Sequence, residues 1–211
     1  MAGGLTVIVD YGLCNTDSML RALEECGAAR VERTRDPREL AKADRIVLPG
    51  VGTFFAGMRN LRECGLLDEI RSQCERGIPV LGACLGMQLM ASTGGEGSPN
   101  GPVEGLGLIR GEVMRLTSQN SDERIPHVGW NEVTANGGSL FDGFPEKPDF
   151  YFVHSYHVRL ERSSEEAARG DYCGGFTAAI QADGKPIFGV QFHPEKSQKN
   201  GFRLLKNFLA I

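Results

Sequence analysis

The order of hydrophobic segments in the first 90 residues restricts this chain to a narrow class of folds. Four short apolar runs predict β-strands, and each is followed by a segment with helical periodicity. The predicted strands are 5–9, 29–33, 45–48 and 78–81. Short apolar strands joined by crossover helices form a parallel sheet with helices on both faces. Reactive groups collect at the carboxyl ends of such strands, so the residues that follow each run are the first candidates for a site.

The second half of the chain has a different pattern, in which strands follow one another with short turns. The predicted strands are 108–116, 150–153, 156–160, 176–181 and 187–191, with a hairpin turn at 182–185. Residues 162–170 are predicted to form a polar loop or short helix, and 201–209 a terminal helix. The 211 residues therefore predict one α/β domain, 1–211, in which a mostly parallel sheet flanked by helices gains antiparallel strands in its C-terminal half.

Composition and charge argue against several classes of partner. The formal net charge of -4 gives no reason to expect nucleic acid or an anionic membrane. No apolar run approaches the roughly 18 residues of a membrane span, and the N-terminal residues lack the pattern of a signal peptide. The six cysteines are scattered without a CxxC pair, which is typical of reduced thiols. We therefore expect a cytoplasmic protein that binds neither nucleic acid nor membranes.

The segment Ile-Pro-Val-Leu-Gly-Ala-Cys-Leu-Gly-Met-Gln-Leu at 78–89 predicts a strand that runs directly into a helix, with Cys84 at the turn. Gly82 and Gly86 flank the cysteine and let the backbone bend sharply. A thiol just before a helix N-terminus lies at the positive end of the helix dipole, which favours the thiolate. Cys84 is therefore a candidate nucleophile, although this short pattern alone is equally compatible with a structural cysteine.

A second segment supplies the groups that such a nucleophile needs. His193 and Glu195 follow the last predicted strand two residues apart, and side chains at that spacing on extended backbone point the same way. The carboxylate can then orient the imidazole, and the imidazole can take the proton of Cys84. A histidine alone is more often structural, and the other five cysteines are predicted to be small core residues. The combined pattern favours an acyl-transfer enzyme with a Cys-His-Glu triad.

These residues also carry a family resemblance. Pro-Gly-Val-Gly at 49–52, Gly-Ala-Cys-Leu-Gly-Met-Gln at 82–88 and Gly-Val-Gln-Phe-His-Pro-Glu at 189–195 resemble the three signature segments of class I, triad-type glutamine amidotransferases. Other segments resemble the glutaminase subunits of imidazole glycerol phosphate synthases, and these are 10–15, 126–131, 151–156 and 192–198. The resemblance extends over nearly the whole chain and implies a flavodoxin-like sheet.

The resemblance implies a mechanism in which the Cys84 thiolate attacks the side-chain amide of glutamine and His193 protonates the departing ammonia. Water would then hydrolyse the γ-glutamyl thioester to glutamate. The N–H of Leu85, and that of Val51 or Gly52, would form the oxyanion hole. A peptide flip in the second loop, controlled by a partner, would leave the isolated subunit nearly inactive. The residues implied to bind glutamine are Gly50, Gln88, Glu96, His154, Ser155 and Tyr156.

The same resemblance implies a heterodimer with a (βα)8 cyclase. Ammonia would pass unprotonated through the cyclase barrel to a ribulosyl phosphoribosyl-formimino aminoimidazole carboxamide. The products would be imidazole glycerol phosphate and the aminoimidazole carboxamide ribotide (AICAR) in histidine biosynthesis. No cofactor and no metal is expected. The residues implied to face the cyclase are Asn15, Trp130, Tyr151 and Lys196. His127 is expected to be structural or interfacial rather than catalytic.

One position departs from the family pattern. Cys14 stands where the family usually has glycine, and a thiol there is expected to narrow the mouth of the site and to weaken coupling to the partner. Three alternatives stay open: a paralogous amidotransferase that supplies ammonia to a surface-sugar synthase, a non-catalytic regulatory module of the same fold, and a cysteine peptidase. The complete triad argues against the regulatory module. Gln88 and the segment around Trp130 give the peptidase no support.

Overall fold

Strands and helices alternate through the first half of the chain, as the hydrophobic pattern predicts. The computed structural model describes residues 2–211. The elements of the first half are β1 (Ala2–Val9), α1 (Thr16–Glu25), β2 (Ala28–Thr34), α2 (Pro37–Leu40), β3 (Arg45–Gly50), α3 (Phe54–Glu63), α4 (Leu66–Glu75), β4 (Val80–Cys84) and α5 (Leu85–Leu89). Asn15, Asp36 and Thr53 cap α1, α2 and α3, because each side chain accepts a hydrogen bond from an N–H of the first turn.

The second half consists mainly of strands and ends in a helix. Its elements are β5 (Thr93–Gly94), β6 (Val103–Glu104), β7 (Gly111–Arg115), β8 (His127–Ala135), β9 (Asp149–His154), β10 (Tyr156–Leu160), β11 (Glu166–Gly170), β12 (Phe176–Gln181), β13 (Ile187–Val190) and α6 (Gln198–Leu209). The predicted strands at 150–153, 156–160, 176–181 and 187–191 each match an element of the structure. The predicted strand 108–116 is shorter than expected, since β7 begins at Gly111.

The main sheet combines a parallel half with an antiparallel half. Within the described residues it has nine strands in the order β2-β1-β3-β4-β13-β12-β11-β8-β9. The first five strands in this order are mutually parallel, and each later strand is antiparallel to its neighbour. A smaller sheet has the order β10-β7-β5-β6. This architecture confirms the predicted α/β fold with additional antiparallel strands in the C-terminal half.

Helices cover both faces of the parallel strands, so each strand is buried on two sides. Along β1, Val7 and Val9 pack on the face covered by α3, α4 and α5, whereas Ile8 packs on the face covered by α1 and α6. The alternation follows from the two-residue period of a strand. The carboxyl ends of β1, β3 and β4 consequently meet at one edge of the sheet. Among residues 2–211, no helix combines the length and the apolar character that a membrane crossing requires.

Two strands of the main sheet differ from the sequence prediction, and the short strands β5 and β6 of the smaller sheet were not predicted either. Residues 162–170 do not form a polar loop: a single 3₁₀ turn at Ser163–Glu165 leads into β11, which lies inside the main sheet between β12 and β8. Its sequence Glu-Ala-Ala-Arg-Gly has low strand propensity, so the neighbouring strands impose the conformation. The nine residues of β8 were also not predicted as a strand, because only two of them are buried and the segment contains glycine.

Candidate active site

Cys84 lies at a strained turn between β4 and α5. Its backbone has φ 52° and ψ −111°, a conformation that residues with a side chain rarely adopt. The strand ends at Cys84 and the helix begins at Leu85, so no loop separates them. The cysteine is consequently placed at the carboxyl end of the parallel sheet with 7% of its surface exposed. This is the strand-to-helix turn that the sequence predicts, and it is the arrangement of a nucleophile elbow.

Two glycines make this turn possible by allowing close backbone packing. A Cβ on Gly86 would lie 1.7 Å from the carbonyl oxygen of Leu48 in β3. A Cβ on Gly82 would lie 2.7 Å from the backbone of Gly86. A side chain at either position would therefore push α5 away from the sheet and displace the Cys84 thiol.

His193 and Glu195 form a buried pair just beyond the end of β13. Nδ1 of His193 lies 2.9 Å from Oε1 of Glu195, and the two side chains are 5% and 7% exposed. The backbone of His193 is fixed on both sides, since its N–H donates to the Tyr151 carbonyl at 3.0 Å and its carbonyl accepts from the Ser197 hydroxyl at 2.7 Å. Because a carboxylate accepts hydrogen bonds, Nδ1 carries a proton and Nε2 is left for Cys84.

The electrostatics of His193 depend on both neighbours. Burial by itself lowers the pKa of His193, but hydrogen bonding and charge from Cys84 and Glu195 outweigh it and raise the pKa to about 10. Nε2 is buried and forms no well-aligned hydrogen bond within residues 2–211, so the Cys84 sulfur raises the pKa of His193 by its proximity to the imidazole. A cysteine thiolate, a protonated imidazole and a carboxylate in this order can support attack on a carbonyl and protonation of a leaving group.

A cavity of about 270 Å³ opens beside the thiol. Its wall brings together residues from separate parts of the chain, and these are Val51, Gly52, Cys84, Glu96, Pro126, Val153, His154, Ser155 and Tyr156. Six of the nine residues predicted for the oxyanion hole and the glutamine site line this cavity, and they come from loops and strand ends that are far apart in the sequence. Burial raises the pKa of Glu96, an effect that a hydrogen bond from the Phe54 amide partly offsets. The cavity thus offers one carboxylate and a segment of backbone to a ligand.

The predicted oxyanion hole is not open in this structure. Gly50 lies opposite Cys84 in the register of β3 and β4, so the Gly50–Val51 peptide is next to the thiol. The N–H of Val51, however, donates to the carbonyl oxygen of Leu13 at 2.7 Å. The N–H of Leu85 is the first of α5 and has no acceptor within its helix. One of the predicted donors, the Val51 N–H, is therefore occupied. Its acceptor, the Leu13 carbonyl, lies in the loop after β1.

Gln88 and Gly50 do not line the cavity, although the resemblance implies that they bind glutamine. The Gln88 side-chain amide donates instead to the Tyr156 carbonyl at 2.9 Å and to Oε1 of Gln191 at 3.1 Å. Gln191 in turn directs its own amide at the Cys84 sulfur, at 3.8 Å. Sequence reasoning missed Gln191, but its position two residues before His193 places it on the same face of extended backbone.

Two neutral histidines connect the cavity to the outer strand pair, which consists of β8 and β9 at one edge of the main sheet. Burial, more than the other nearby groups, lowers the pKa of His154 to about 3, and burial lowers that of His127 to about 4. Because the Tyr156 carbonyl can only accept, Nδ1 of His154 carries the proton in their 2.9 Å hydrogen bond. Nε2 of His154 then accepts from Nδ1 of His127 at 3.1 Å, and Nε2 of His127 accepts from Asn131 at 3.4 Å. His127 is thus a buried structural link, as expected.

Three of the four predicted interface residues lie together at the outer strand pair. Trp130 is paired with Tyr151 across β8 and β9, with ring centroids 6.2 Å apart, and Nζ of Lys196 lies 6.0 Å from the Tyr151 ring centroid. Trp130 is 45% exposed. Asn15 lies instead at the N-terminus of α1, where its side chain accepts a hydrogen bond from the Ser18 N–H at 3.3 Å.

Cys14 does not narrow the cavity, in contrast to the expectation from its sequence position. Its half-buried thiol donates to the Val9 carbonyl at 3.6 Å and to Asp10 at 3.8 Å, and it is not part of the cavity wall. Burial, reinforced by the charge of Asp10, raises the pKa of Cys14 to about 11. The thiol therefore stays protonated at neutral pH, and its contacts with the end of β1 direct it away from the cavity.

Comparisons with known proteins find close relatives. The family model for "Glutamine amidotransferase class-I" matches residues 7–211. The imidazole glycerol phosphate synthase subunit HisH of Moorella thermoacetica is 46% identical over 202 residues, which cover 95% of this chain and 92% of that protein. Subunit HisH 1 of Campylobacter jejuni (strain RM1221) is 41% identical over 209 residues, covering 98% of this chain and 100% of that protein. The structure of PurLQS from Thermotoga maritima matches at 19% identity with a TM-score of 0.76, over 98% of this chain and 97% of that one, and supports the fold alone.

Proposed function

Because the chain belongs to the class-I glutamine amidotransferase family, we propose that it hydrolyses glutamine and delivers ammonia to the cyclase subunit of imidazole glycerol phosphate synthase, in histidine biosynthesis. Relatives that cover almost the whole chain carry the name of that synthase subunit. In this proposal residues 1–211 act as one amidotransferase domain. The reaction takes place in the cytoplasm, where a reduced thiol such as that of Cys84 persists.

The proposed chemistry begins at Cys84. The thiolate attacks the side-chain carbonyl carbon of glutamine, and the C–N bond breaks as the His193 imidazolium gives its proton to the leaving nitrogen. The raised pKa of His193 supports this role, because it keeps the imidazole protonated at neutral pH. His193 then takes a proton from a water molecule as that water attacks the γ-glutamyl thioester. The C–S bond breaks, which releases glutamate and regenerates the Cys84 thiolate. Glu195 orients the imidazole throughout, through its 2.9 Å contact with Nδ1.

Glutamine recognition is assigned to the cavity wall. The carboxylate of Glu96 is the acid on that wall and suits the α-ammonium group of the substrate. The backbone from His154 to Tyr156 also lines the cavity and offers peptide groups for the rest of the amino acid. Gln88 acts on the substrate indirectly in this proposal, because its amide holds the Tyr156 carbonyl and Gln191.

The hydrogen bond that occupies the Val51 N–H provides a physical reason for control by a partner. While the Val51 N–H is bonded to the Leu13 carbonyl, it cannot stabilise an oxyanion at the substrate carbon. Loss of one such donor typically costs about a hundred- to a thousandfold in turnover. We therefore expect the isolated chain to be nearly inactive, and the cyclase to favour a rotated Gly50–Val51 peptide.

The proposed cyclase surface is the exposed apolar patch around the cavity mouth. Val128, Trp130 and Val153 on the outer strand pair are 58%, 45% and 36% exposed, and Val51 is 46% exposed. Val51 and Val153 also line the cavity, so a partner that covers this patch would close the site. An exposed patch of large apolar side chains that includes tryptophan is typical of a protein interface. Covering it would keep ammonia from bulk water, which would protonate it.

The geometry of Cys84, His193 and Glu195 beside the cavity carries this proposal, and one assay tests it. Glutamate release from glutamine is measured with the purified chain alone, with the histidine-pathway cyclase, and with the cyclase plus its nucleotide ligand. The proposal predicts little release alone and at least about a hundredfold increase with the liganded cyclase, the size of one oxyanion donor. Equal rates with and without cyclase would contradict it. Stimulation only by a sugar-synthase partner would favour the paralogous function.

A further inference from the structure

The hydroxyl of Tyr11 is a buried polar group without a partner. Tyr11 follows β1, its side chain is 1% exposed, and its hydroxyl forms no hydrogen bond with any group in residues 2–211. Buried hydroxyl groups are nearly always hydrogen-bonded, and leaving one unpaired is destabilising. An unpaired donor next to a reactive centre therefore suggests a second state in which it has an acceptor.

The hydroxyl lies directly under the backbone that would form the oxyanion hole. A Cβ on Gly50 would lie 1.9 Å from the Tyr11 hydroxyl oxygen, so this oxygen packs against the Gly50 Cα. Gly50 in turn lies opposite Cys84 in the sheet. The Leu13 carbonyl, which holds the Val51 N–H, belongs to the same loop after β1 as Tyr11. The Tyr11 hydroxyl, the Leu13 carbonyl and the Gly50–Val51 peptide are therefore adjacent.

Opening the oxyanion hole creates a need for such a donor. The Gly50–Val51 peptide is a rigid planar unit, so turning its N–H toward the substrate turns its carbonyl oxygen to the opposite side. That is the side of the Leu13 carbonyl, which would repel a second carbonyl oxygen. The rotation also moves φ of Val51, which is not positive here, toward positive values that a β-branched residue resists. Without compensation, both effects favour the closed hole.

We propose that Tyr11 is a positioning residue for the oxyanion hole, whose hydroxyl donates a hydrogen bond to the Gly50 carbonyl oxygen when the Gly50–Val51 peptide is rotated. This inference rests on the proposed glutaminase function. It explains why the hydroxyl is unpaired in the closed arrangement and why a tyrosine is buried at this point. The bond forms only in the active arrangement, so it stabilises that arrangement alone.

The protonation state of Tyr11 supports the role of donor. Burial raises the pKa of Tyr11 well above its ordinary value, and the nearby Cys14 and Cys84 raise it further. The phenol therefore keeps its proton through the pH range in which the enzyme works. A carbonyl oxygen can only accept, which matches this permanent donor.

Tyr11→Phe tests the proposal by removing the hydroxyl alone. Glutamate release is measured for the complex with cyclase, first without and then with the cyclase ligand. In the unliganded complex, where the rotated peptide is the minor state, Tyr11→Phe is expected to lower kcat about tenfold with KM for glutamine unchanged, the effect of one buried hydrogen bond. Its urea midpoint should equal that of wild type or exceed it, because the hydroxyl has no partner in the closed state.

Tyr172→Phe is the matched control. The Tyr172 hydroxyl accepts from the Arg124 N–H and donates to the Arg124 carbonyl, both at 2.8 Å, so its loss should lower the urea midpoint and leave kcat unchanged. The proposal is overturned if Tyr11→Phe keeps wild-type kcat, changes KM instead of kcat, or loses stability in proportion to activity. A wild-type complex that the cyclase ligand does not stimulate would overturn the proposed function itself, and this role with it.

Discussion

Replacing Cys84 with alanine is expected to abolish glutamine-dependent synthesis of imidazole glycerol phosphate, with a loss of at least about ten-thousandfold. The substitution removes the sulfur that forms the thioester, and no other thiol lines the cavity formed by the described residues. The synthase reaction driven by ammonium salts should keep its wild-type rate, because ammonia then reaches the cyclase from solution. Because a dissociated or misfolded subunit would give the same pattern, the Cys84→Ala complex is first shown to co-elute with the cyclase as the wild-type complex does in size-exclusion chromatography.

The comparison is made by following product formation with glutamine and with ammonium chloride for the same preparation of the complex. Cys64→Ala is the matched control, since Cys64 is a half-buried thiol at the end of α3. It should leave both reactions close to wild type. Glutamine-dependent synthesis that survives Cys84→Ala would exclude this residue as the nucleophile.

His193→Gln is expected to lower glutamine-dependent turnover nearly as much as Cys84→Ala, again by at least about ten-thousandfold. The imidazole both faces the sulfur and supplies the proton for the leaving nitrogen, so the two residues act as one unit. The double variant Cys84→Ala/His193→Gln should therefore be no slower than either single variant. Losses that multiply in the double variant would show that the residues act independently.

The same substitution has a pH-dependent effect on stability. The pKa of His193 is about 10 in the folded chain and about 6.5 when unperturbed, so the folded state binds the extra proton between these values. The stabilisation is fully present below pH 6.5 and is lost as the pH rises toward 10. The difference in unfolding free energy between wild type and His193→Gln should shrink over that range in urea titrations. Glu195→Gln, which removes one cause of the raised pKa, should show a weaker dependence.

The parallel half of the fold and the catalytic turn could be predicted from sequence because local and global signals agree there. The run before Cys84 is apolar enough for a buried strand, and Gly82 and Gly86 mark the close packing of strand and helix. The pairing of His193 and Glu195 is observed as predicted, but Glu195 lies in a 3₁₀ turn, Pro194–Lys196, and not on the extended backbone that the prediction assumed. These features need no information about distant contacts.

The remaining differences between prediction and structure arise where contacts between residues far apart in the sequence determine the local conformation. Strand β11 has a sequence that favours helix, and its neighbours in the sheet override this preference. Gln88 is on the helix face that the resemblance implies, but the Tyr156 carbonyl and Gln191 occupy its amide. The closed state of the Val51 N–H depends on a carbonyl from the loop after β1, which no local pattern near Val51 reveals.

The central claim is that Cys84 carries a glutamyl group during turnover, and mass analysis of the quenched enzyme tests it most directly. The complex with liganded cyclase is mixed with glutamine, stopped in acid after a few turnovers, and digested for peptide mapping. The account predicts a γ-glutamyl thioester on Cys84 that hydroxylamine removes and that does not form in Cys84→Ala. Steady glutamate production with Cys84 unmodified at every time point, or with the glutamyl group on another residue, would contradict it.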